Sequence, residues 1–262
     1  MNEIRKMVAL GSSFAAGPGI DPIENPDAMR SSRNYAHLLA ARLRAELVDL
    51  SVSGATTATI LHTPQLTANG VEFAPQIDGV PPDADLVTVT AGGNDLGFAG
   101  SMLYAAWARH QPSSEMATLL APAFAGGIPE PTRDSTEQVA AGLAEVVSQV
   151  RLRAANARIV LVDYLTVIDP QDHIENSPFP AGETAAFLRI QNALAEGYLR
   201  ATQRSGAALL SASALSAHHG LGTKTPWVFA FQPVMDKTGS SFHPNETGMR
   251  AIADALADRL SP

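Results

Sequence analysis

Four short stretches of this chain carry side chains able to do chemistry: GSSFAAGPG at 11–19, SVSGATT at 51–57, AGGND at 91–95 and GSSFHPN at 239–245. A serine hydroxyl is a weak nucleophile near neutral pH unless a neighbouring base takes its proton, and histidine is the side chain whose pKa suits that work. The tetrahedral intermediate of acyl transfer then needs N–H donors aimed at its oxyanion. Ser12 or Ser13, the backbone at Gly54, the Asn94 amide and His243 would supply those parts. Each residue also has a plainer use. A serine in a turn bonds nearby backbone, Gly54 relaxes a tight turn, and Asn94 and Asp95 are suited to cap a helix. Only the four together point to acyl transfer.

The elements that would have to position these residues are legible as well. Short apolar runs at 6–10, 46–50, 86–90, 158–165 and 207–213 suit buried strands. Between them lie helical patterns. One is capped by Ser31 or Ser32 and carries Tyr35, Leu38, Leu39 and Leu43. A second is started by Asp134 or Ser135 and carries Val139, Leu143, Val146, Val147 and Val150. A third runs over roughly 183–204 and ends before Gly206. The last runs from Pro244 to about Leu260, with Pro244 in its first turn. Strands alternating with helices predict parallel pairing and right-handed crossovers. We expect an α/β, three-layer α/β/α sandwich on a five-stranded parallel sheet, its site at the carboxyl ends of the strands. The chain reads as one domain, 1–262, with the Pro- and Gly-containing stretch 111–133 as a lid-like insertion.

The four stretches stand in the order of the conserved blocks of the SGNH hydrolases, the GDSL esterase and lipase family, which the chain resembles at ALGSSFAAG, VSGAT, TAGGND and SFHPN. The likeness extends from about residue 8 to residue 260. It implies the flavodoxin-like fold of that family and a serine esterase or lipase acting through an acyl-serine intermediate. Carried over by position, Ser13 is the nucleophile and His243 the general base. The N–H groups of Ser13 and Gly54 and the side chain of Asn94 form the oxyanion hole, and Asp95 is structural. Acyl transfer to an alcohol and a non-catalytic binding module are the other uses of such a fold.

Two positions depart from the family pattern. Ser12 stands where an Asp is usual in the first block. Ser240 stands where an Asp, three residues before the histidine, usually holds the imidazole. The expectation here is a Ser13–His243 dyad with the main-chain carbonyl of Ser240 accepting from Nδ1. Asp163 and Asp236 are the other acids weighed for that role, each reading more simply as a capping or solvated carboxylate.

Composition narrows the partners. The chain has 262 residues, 45% hydrophobic and 17% charged, a net charge of −8 and no cysteine. That disfavours nucleic acid and anionic membrane surfaces, and it removes thiolate chemistry. No run reaches the roughly 18 to 20 apolar residues of a membrane span, so no stable membrane insertion is expected. MNEIRKMVALGSS lacks a signal-peptide pattern and reads as cytoplasmic. The expected partner is a small-molecule or lipid acyl ester, with no cofactor and no metal. His218 with His219, and Asp169 with Asp172 and His173, read as loops and turns rather than ligand sets. Tyr104, Trp107, Trp227 and the 111–133 stretch are candidates for the wall of an acyl pocket.

Overall fold

The computed structural model describes residues 3–67, 69–170 and 177–260. Five strands, β1 (Lys6–Gly11), β2 (Glu46–Asp49), β3 (Leu86–Thr90), β4 (Arg158–Val162) and β5 (Ala208–Leu210), pair in parallel in the order β2-β1-β3-β4-β5. The connecting helices are α1 (Ser13–Ala16), α2 (Tyr35–Leu43), α3 (Thr57–Leu61), α4 (Phe98–His110), α5 (Glu115–Phe124), α6 (Arg133–Arg153), α7 (Ala181–Ser205), α8 (Ala212–Leu215), α9 (Met235–Thr238) and α10 (Glu246–Leu260). Strand order reverses between β1 and β3, because β2 lies outside β1 while β4 and β5 continue beyond β3. The loops leaving β1 and β3 therefore diverge and open a crevice at their carboxyl ends.

Side-chain alternation explains why β1 is apolar throughout. Met7 and Ala9 point to the face covered by α2 and α10, packing with Leu39, Ile252 and Leu256. Val8 and Leu10 point to the other face, in one cluster with Val139, Leu143 and Val147 of α6 and Phe187 and Leu194 of α7. A parallel strand buried on both faces has no polar side to show.

Element ends differ from the sequence-based expectation where a local hydrogen bond decides them. Asn34, not Ser31 or Ser32, caps α2, accepting from the His37 N–H. Ser31 is already in a short strand, Arg30–Ser31, paired antiparallel with Ile23–Asn25. Thr132 and Ser135 form a reciprocal capping box that starts α6 one residue before Asp134. The last helix begins at Glu246 rather than Pro244. Pro244 forms a bridge with Val228, and Asn245 takes the N–H groups of Thr247 and Gly248 on its Oδ1. In the stretch 111–133, α5 is capped by Ser114 and packs on α4.

The backbone after β3 is held by a side chain of α7. The hydroxyl of Tyr198, fully buried on α7, donates to the Ala91 carbonyl at 2.8 Å and accepts the Ala91 N–H at 2.9 Å. Tyr198→Phe leaves both groups buried and unpaired, and each such orphan costs about 1–3 kcal/mol. Urea unfolding of Tyr198→Phe is expected to show a loss of about 2–4 kcal/mol at unchanged slope; a loss under about 0.5 kcal/mol would mean that Ala91 finds other partners.

Candidate active site

Ser13 is placed by the way β1 ends. A Cβ at Gly11 would sit 2.4 Å from the Thr90 carbonyl oxygen, so only glycine lets β1 and β3 approach there. The Gln76 side chain clamps the same residue, accepting from its N–H at 2.8 Å and donating to its carbonyl at 2.9 Å. The chain then turns through Ser12 into α1, and Ser13 becomes the first residue of that helix.

Ser12 and Ser13 are separated in role by direction. The Ser12 hydroxyl lies 2.9 Å from the Tyr164 hydroxyl, buried between loops. The Tyr164 oxygen also accepts the Gly93 N–H at 2.9 Å, which leaves its own proton for Ser12. A Cβ at Gly93 would fall 2.6 Å from the Tyr164 ring, so the glycine of GGND is required by this tyrosine. Tyr164 thus ties the loop after β1 to the loop after β3. Burial pushes its phenol well up, so it stays protonated.

Ser13 turns the other way, its Oγ 2.8 Å from Nε2 of His243. His243 Nδ1 lies 2.8 Å from the Ser241 carbonyl oxygen. A carbonyl only accepts, so Nδ1 carries the proton and Nε2 is the acceptor for the Ser13 O–H. The expected carbonyl was that of Ser240, and the structure corrects it by one residue. Ser240 and His243 close a turn in which the Ser240 carbonyl takes the backbone N–H of His243 at 3.1 Å. Phe242, inside that turn, has φ of +66°, and the next carbonyl, that of Ser241, is the one left for the ring. The Ser240 hydroxyl donates to the Lys237 carbonyl. Neither acid substitutes for it. Asp163 accepts from the Ser213 N–H and from the hydroxyls of Ser211 and Ser213, and Asp236 is exposed on α9.

His243 is 8% exposed, and its ring lies 5.2 Å from that of Phe14. Burial lowers its pKa from 6.5 to about 4, the Ser241 carbonyl offsetting part of the fall. The imidazole is therefore neutral at pH 7.

Gly54 and Asn94 line one cavity with Ser13 and His243, of about 740 Å³. Gly54 has φ of +87°, a conformation that glycine adopts without strain. Asn94 spends one N–H on the Ala55 carbonyl at 2.8 Å, which fixes the amide beside Gly54. Asp95 does not cap its own helix. Its carboxylate takes the Thr57 N–H at 3.2 Å and the Thr57 hydroxyl at 2.5 Å, joining the loop after β3 to the start of α3.

The remaining candidates lie elsewhere. Leu103, Met116 and Leu120 line the cavity, so α4 and α5 do contribute, but not through Tyr104 or Trp107. Trp107 is buried and donates to Thr238 Oγ1 at 2.7 Å, while Tyr104 borders a separate cavity with Arg109 and Phe124. Trp227 stacks on His219, ring centroids 4.1 Å apart. His218 gives its backbone N–H to Asp169; Asp172 and His173 lie outside the described residues. One trio of metal-ligand type stands among the described residues, Glu24, His37 and Asp49, and it is already engaged by Arg30, Asn34 and Ser51. Sequence reasoning missed Tyr164 and Ser241. A tyrosine at a strand end carries no local signal of its partner, and a main-chain carbonyl carries no residue type at all.

Residues 9–251 match the model of the GDSL-like lipase/acylhydrolase family. The chain belongs to that family. It is similar to "Lipase 2" of Streptomyces coelicolor, 29% identical over 97% of this chain and 85% of the relative, and to an esterase of Streptomyces scabiei, 24% identical with the same coverage. Among solved structures, phospholipase A1 from Streptomyces albidoflavus shares the fold with a TM-score of 0.74 at 21% identity, over 98% of this chain and 100% of that one. An extracellular lipase from Streptomyces rimosus does so with a TM-score of 0.67 at 20% identity and equal coverage. As a member of this family the protein is a carboxylic ester hydrolase, a GDSL lipase/esterase. Among the described residues no helix is long and apolar enough to cross a membrane.

The depressed pKa of His243 sets a pH dependence of stability. Between 6.5 and about 4 the unfolded chain binds a proton at this residue and the folded chain does not. The contribution is therefore complete above about pH 6.5 and is lost as pH falls to about 4, on the order of 3 kcal/mol in all. His243→Gln is expected to have a shallower loss of stability across that window, and an NMR titration of the wild-type ring should find its midpoint near 4. A midpoint at 6.5 would mean a solvated ring.

Proposed function

We propose that the protein hydrolyses small-molecule or lipid acyl esters through an acyl-Ser13 intermediate, with His243 as the side chain, among the described residues, that pairs with the nucleophile. The observation that carries this reading is the 2.8 Å contact of Ser13 Oγ with an Nε2 whose ring is already protonated at Nδ1 against a carbonyl. The Ser13 oxygen attacks the ester carbonyl carbon while Nε2 takes its proton. The resulting oxyanion is met by the N–H groups of Ser13 and Gly54 and by the second N–H of Asn94. Collapse breaks the bond to the alcohol oxygen, which receives the proton from Nε2. A water molecule then attacks the acyl carbon, giving its proton to Nε2, and the acid leaves as Ser13 recovers it.

The energetics of the dyad follow from its surroundings. A neutral carbonyl holds the ring but offers no charge to the imidazolium, and the low pKa makes His243 a weak base in the free enzyme. The imidazolium and the oxyanion arise together in one partly desolvated cleft, where their mutual attraction offsets part of that cost. Hydrolysis rather than acyl transfer is the reading that the lipase and esterase relatives favour.

A fluorophosphonate probe is expected to label Ser13 in the folded protein. Ser13→Ala and His243→Ala should each lower kcat/KM for p-nitrophenyl acetate by at least about 10³-fold, and Asn94→Ala by about 10²–10³-fold. Ser240→Ala and Ser241→Ala keep the main-chain carbonyls and should stay within about tenfold of wild type. No label at Ser13, or a collapse in Ser240→Ala, would defeat the dyad as described.

The pH profile gives a second check. Activity needs neutral His243, so kcat/KM on the acid side should fall with a midpoint near 4 rather than 6.5. A midpoint at 6.5, with stability unchanged over that range, would contradict a buried base.

A further inference from the structure

Gly54 sits in a turn whose middle peptide has two ways to face. The turn Val52–Ala55 is closed by the Ala55 N–H on the Val52 carbonyl at 3.1 Å, with Gly54 third in it at φ of +87°. Ser53, second in the turn, keeps an ordinary negative φ, which makes the turn type II. A type I turn over the same four residues keeps the closing bond and turns the Ser53–Gly54 peptide over. In it ψ of the second residue goes from about +120° to about −30°, and φ of the third from about +80° to about −90°. Glycine takes both signs of φ readily, so the residue type at 54 leaves the choice open.

One side chain bears on that choice. The Gln65 amide donates to the Ser53 carbonyl at 2.7 Å and lies close against Gly54, where a Cβ would stand 3.2 Å from Nε2. Gln65 is itself held in an antiparallel ribbon, paired with Phe73 while Leu66 pairs with Glu72. A peptide unit is planar and trans, so its C=O and N–H point in opposite directions. Holding the Ser53 carbonyl toward Gln65 therefore aims the Gly54 N–H the other way, and that N–H has no acceptor among the described residues. The remaining bond of this turn, from the Ser53 N–H to the Ala28 carbonyl at 2.9 Å, belongs to the preceding peptide and leaves this one free to turn.

Resting on the ester-hydrolase reading above, we infer that Gln65 is a positioning residue: by holding the Ser53 carbonyl it keeps the Ser53–Gly54 peptide facing the way that gives the oxyanion hole its Gly54 N–H. Turned over, the same peptide would set a carbonyl oxygen against the oxyanion in place of a donor. Gln65 touches no reacting atom. Because the donor it aims acts on the transition state, its loss falls on kcat and spares KM.

Two substitutions test this. Gln65→Met keeps the length and removes the donor. Gln65→Glu sets a carboxylate against the Ser53 carbonyl and offers an acceptor to the Gly54 N–H of the turned peptide. Rates are expressed per Ser13 titrated to completion with a fluorophosphonate, so unfolded protein drops out. For p-nitrophenyl acetate, kcat is expected to fall about tenfold in Gln65→Met and about 10²-fold in Gln65→Glu, with KM within about threefold of wild type. The Ki of a trifluoromethyl ketone, whose adduct with Ser13 carries an oxyanion, should rise by the same factors. A crystal structure of Gln65→Glu should show the Gly54 N–H on the introduced carboxylate. An unturned peptide in that structure, kcat within about twofold of wild type in both variants, or a loss confined to KM with Ki unmoved would overturn the inference. Failure of the ester-hydrolase reading is distinguishable, since the wild-type protein would then leave p-nitrophenyl acetate intact and take no fluorophosphonate.

Discussion

One hydrogen bond joins the two ends of this chain: Ser13 Oγ to His243 Nε2, 2.8 Å long between residues 230 positions apart. No local preference brings such residues together. The bond exists because β1 delivers Ser13 to the crevice where strand order reverses, and because α10 packs against α2 on the face that Met7 and Ala9 cover. Its start is held there by the Asn245 cap and by the bridge of Pro244 to Val228. Packing of a helix against the sheet thus sets the position of a proton acceptor to within hydrogen-bonding tolerance.

Burial governs the chemistry of that pair as much as distance does. A histidine enclosed by Phe14 and the 239–243 turn stays neutral, and a carboxylate at its Nδ1 would itself have to be desolvated. A main-chain carbonyl supplies the same directional bond at no cost of burying a charge. The consequence is a base whose orientation is secure and whose basicity is low. In the proposed dyad, stability and catalysis share one titration, because the proton that His243 refuses in the folded state is the proton whose uptake would end its service as a base.

The loops around the pair are braced by groups that answer one another. Ser12, in the place of an acid usual in the family, does not stand alone: the Tyr164 hydroxyl takes up its hydroxyl and the Gly93 N–H together. Asp95 holds α3 through Thr57, and Asn94 holds the Ala55 carbonyl. The loops after β1, β2 and β3 are thereby locked to each other, which keeps the three donors of the proposed oxyanion hole in a fixed relation before any substrate arrives. Preorganisation of that kind is where most of the value of such donors lies.

Much of this was legible in residue order alone. The five apolar runs were short enough to be strands, and the one at 158–165 is also the most continuously β-branched. The 3.6-residue spacing of Val139, Leu143 and Val146 could only be a buried helix face, and the four blocks GSSF, SGAT, GGND and FHPN marked the loops that would meet. Residue type carries that information because burial and nucleophilicity are properties of side chains. The element ends at Asn34, Thr132 and Glu246 were not legible, since several residues nearby could cap equally well and tertiary contacts choose among them. Nor was the partner of His243, nor that of Ser12. Every residue has a carbonyl, so only the turn at Phe242 could decide that Ser241 and not Ser240 faces the ring. Only the folding of β4 beside β3 could bring Tyr164 to Gly93.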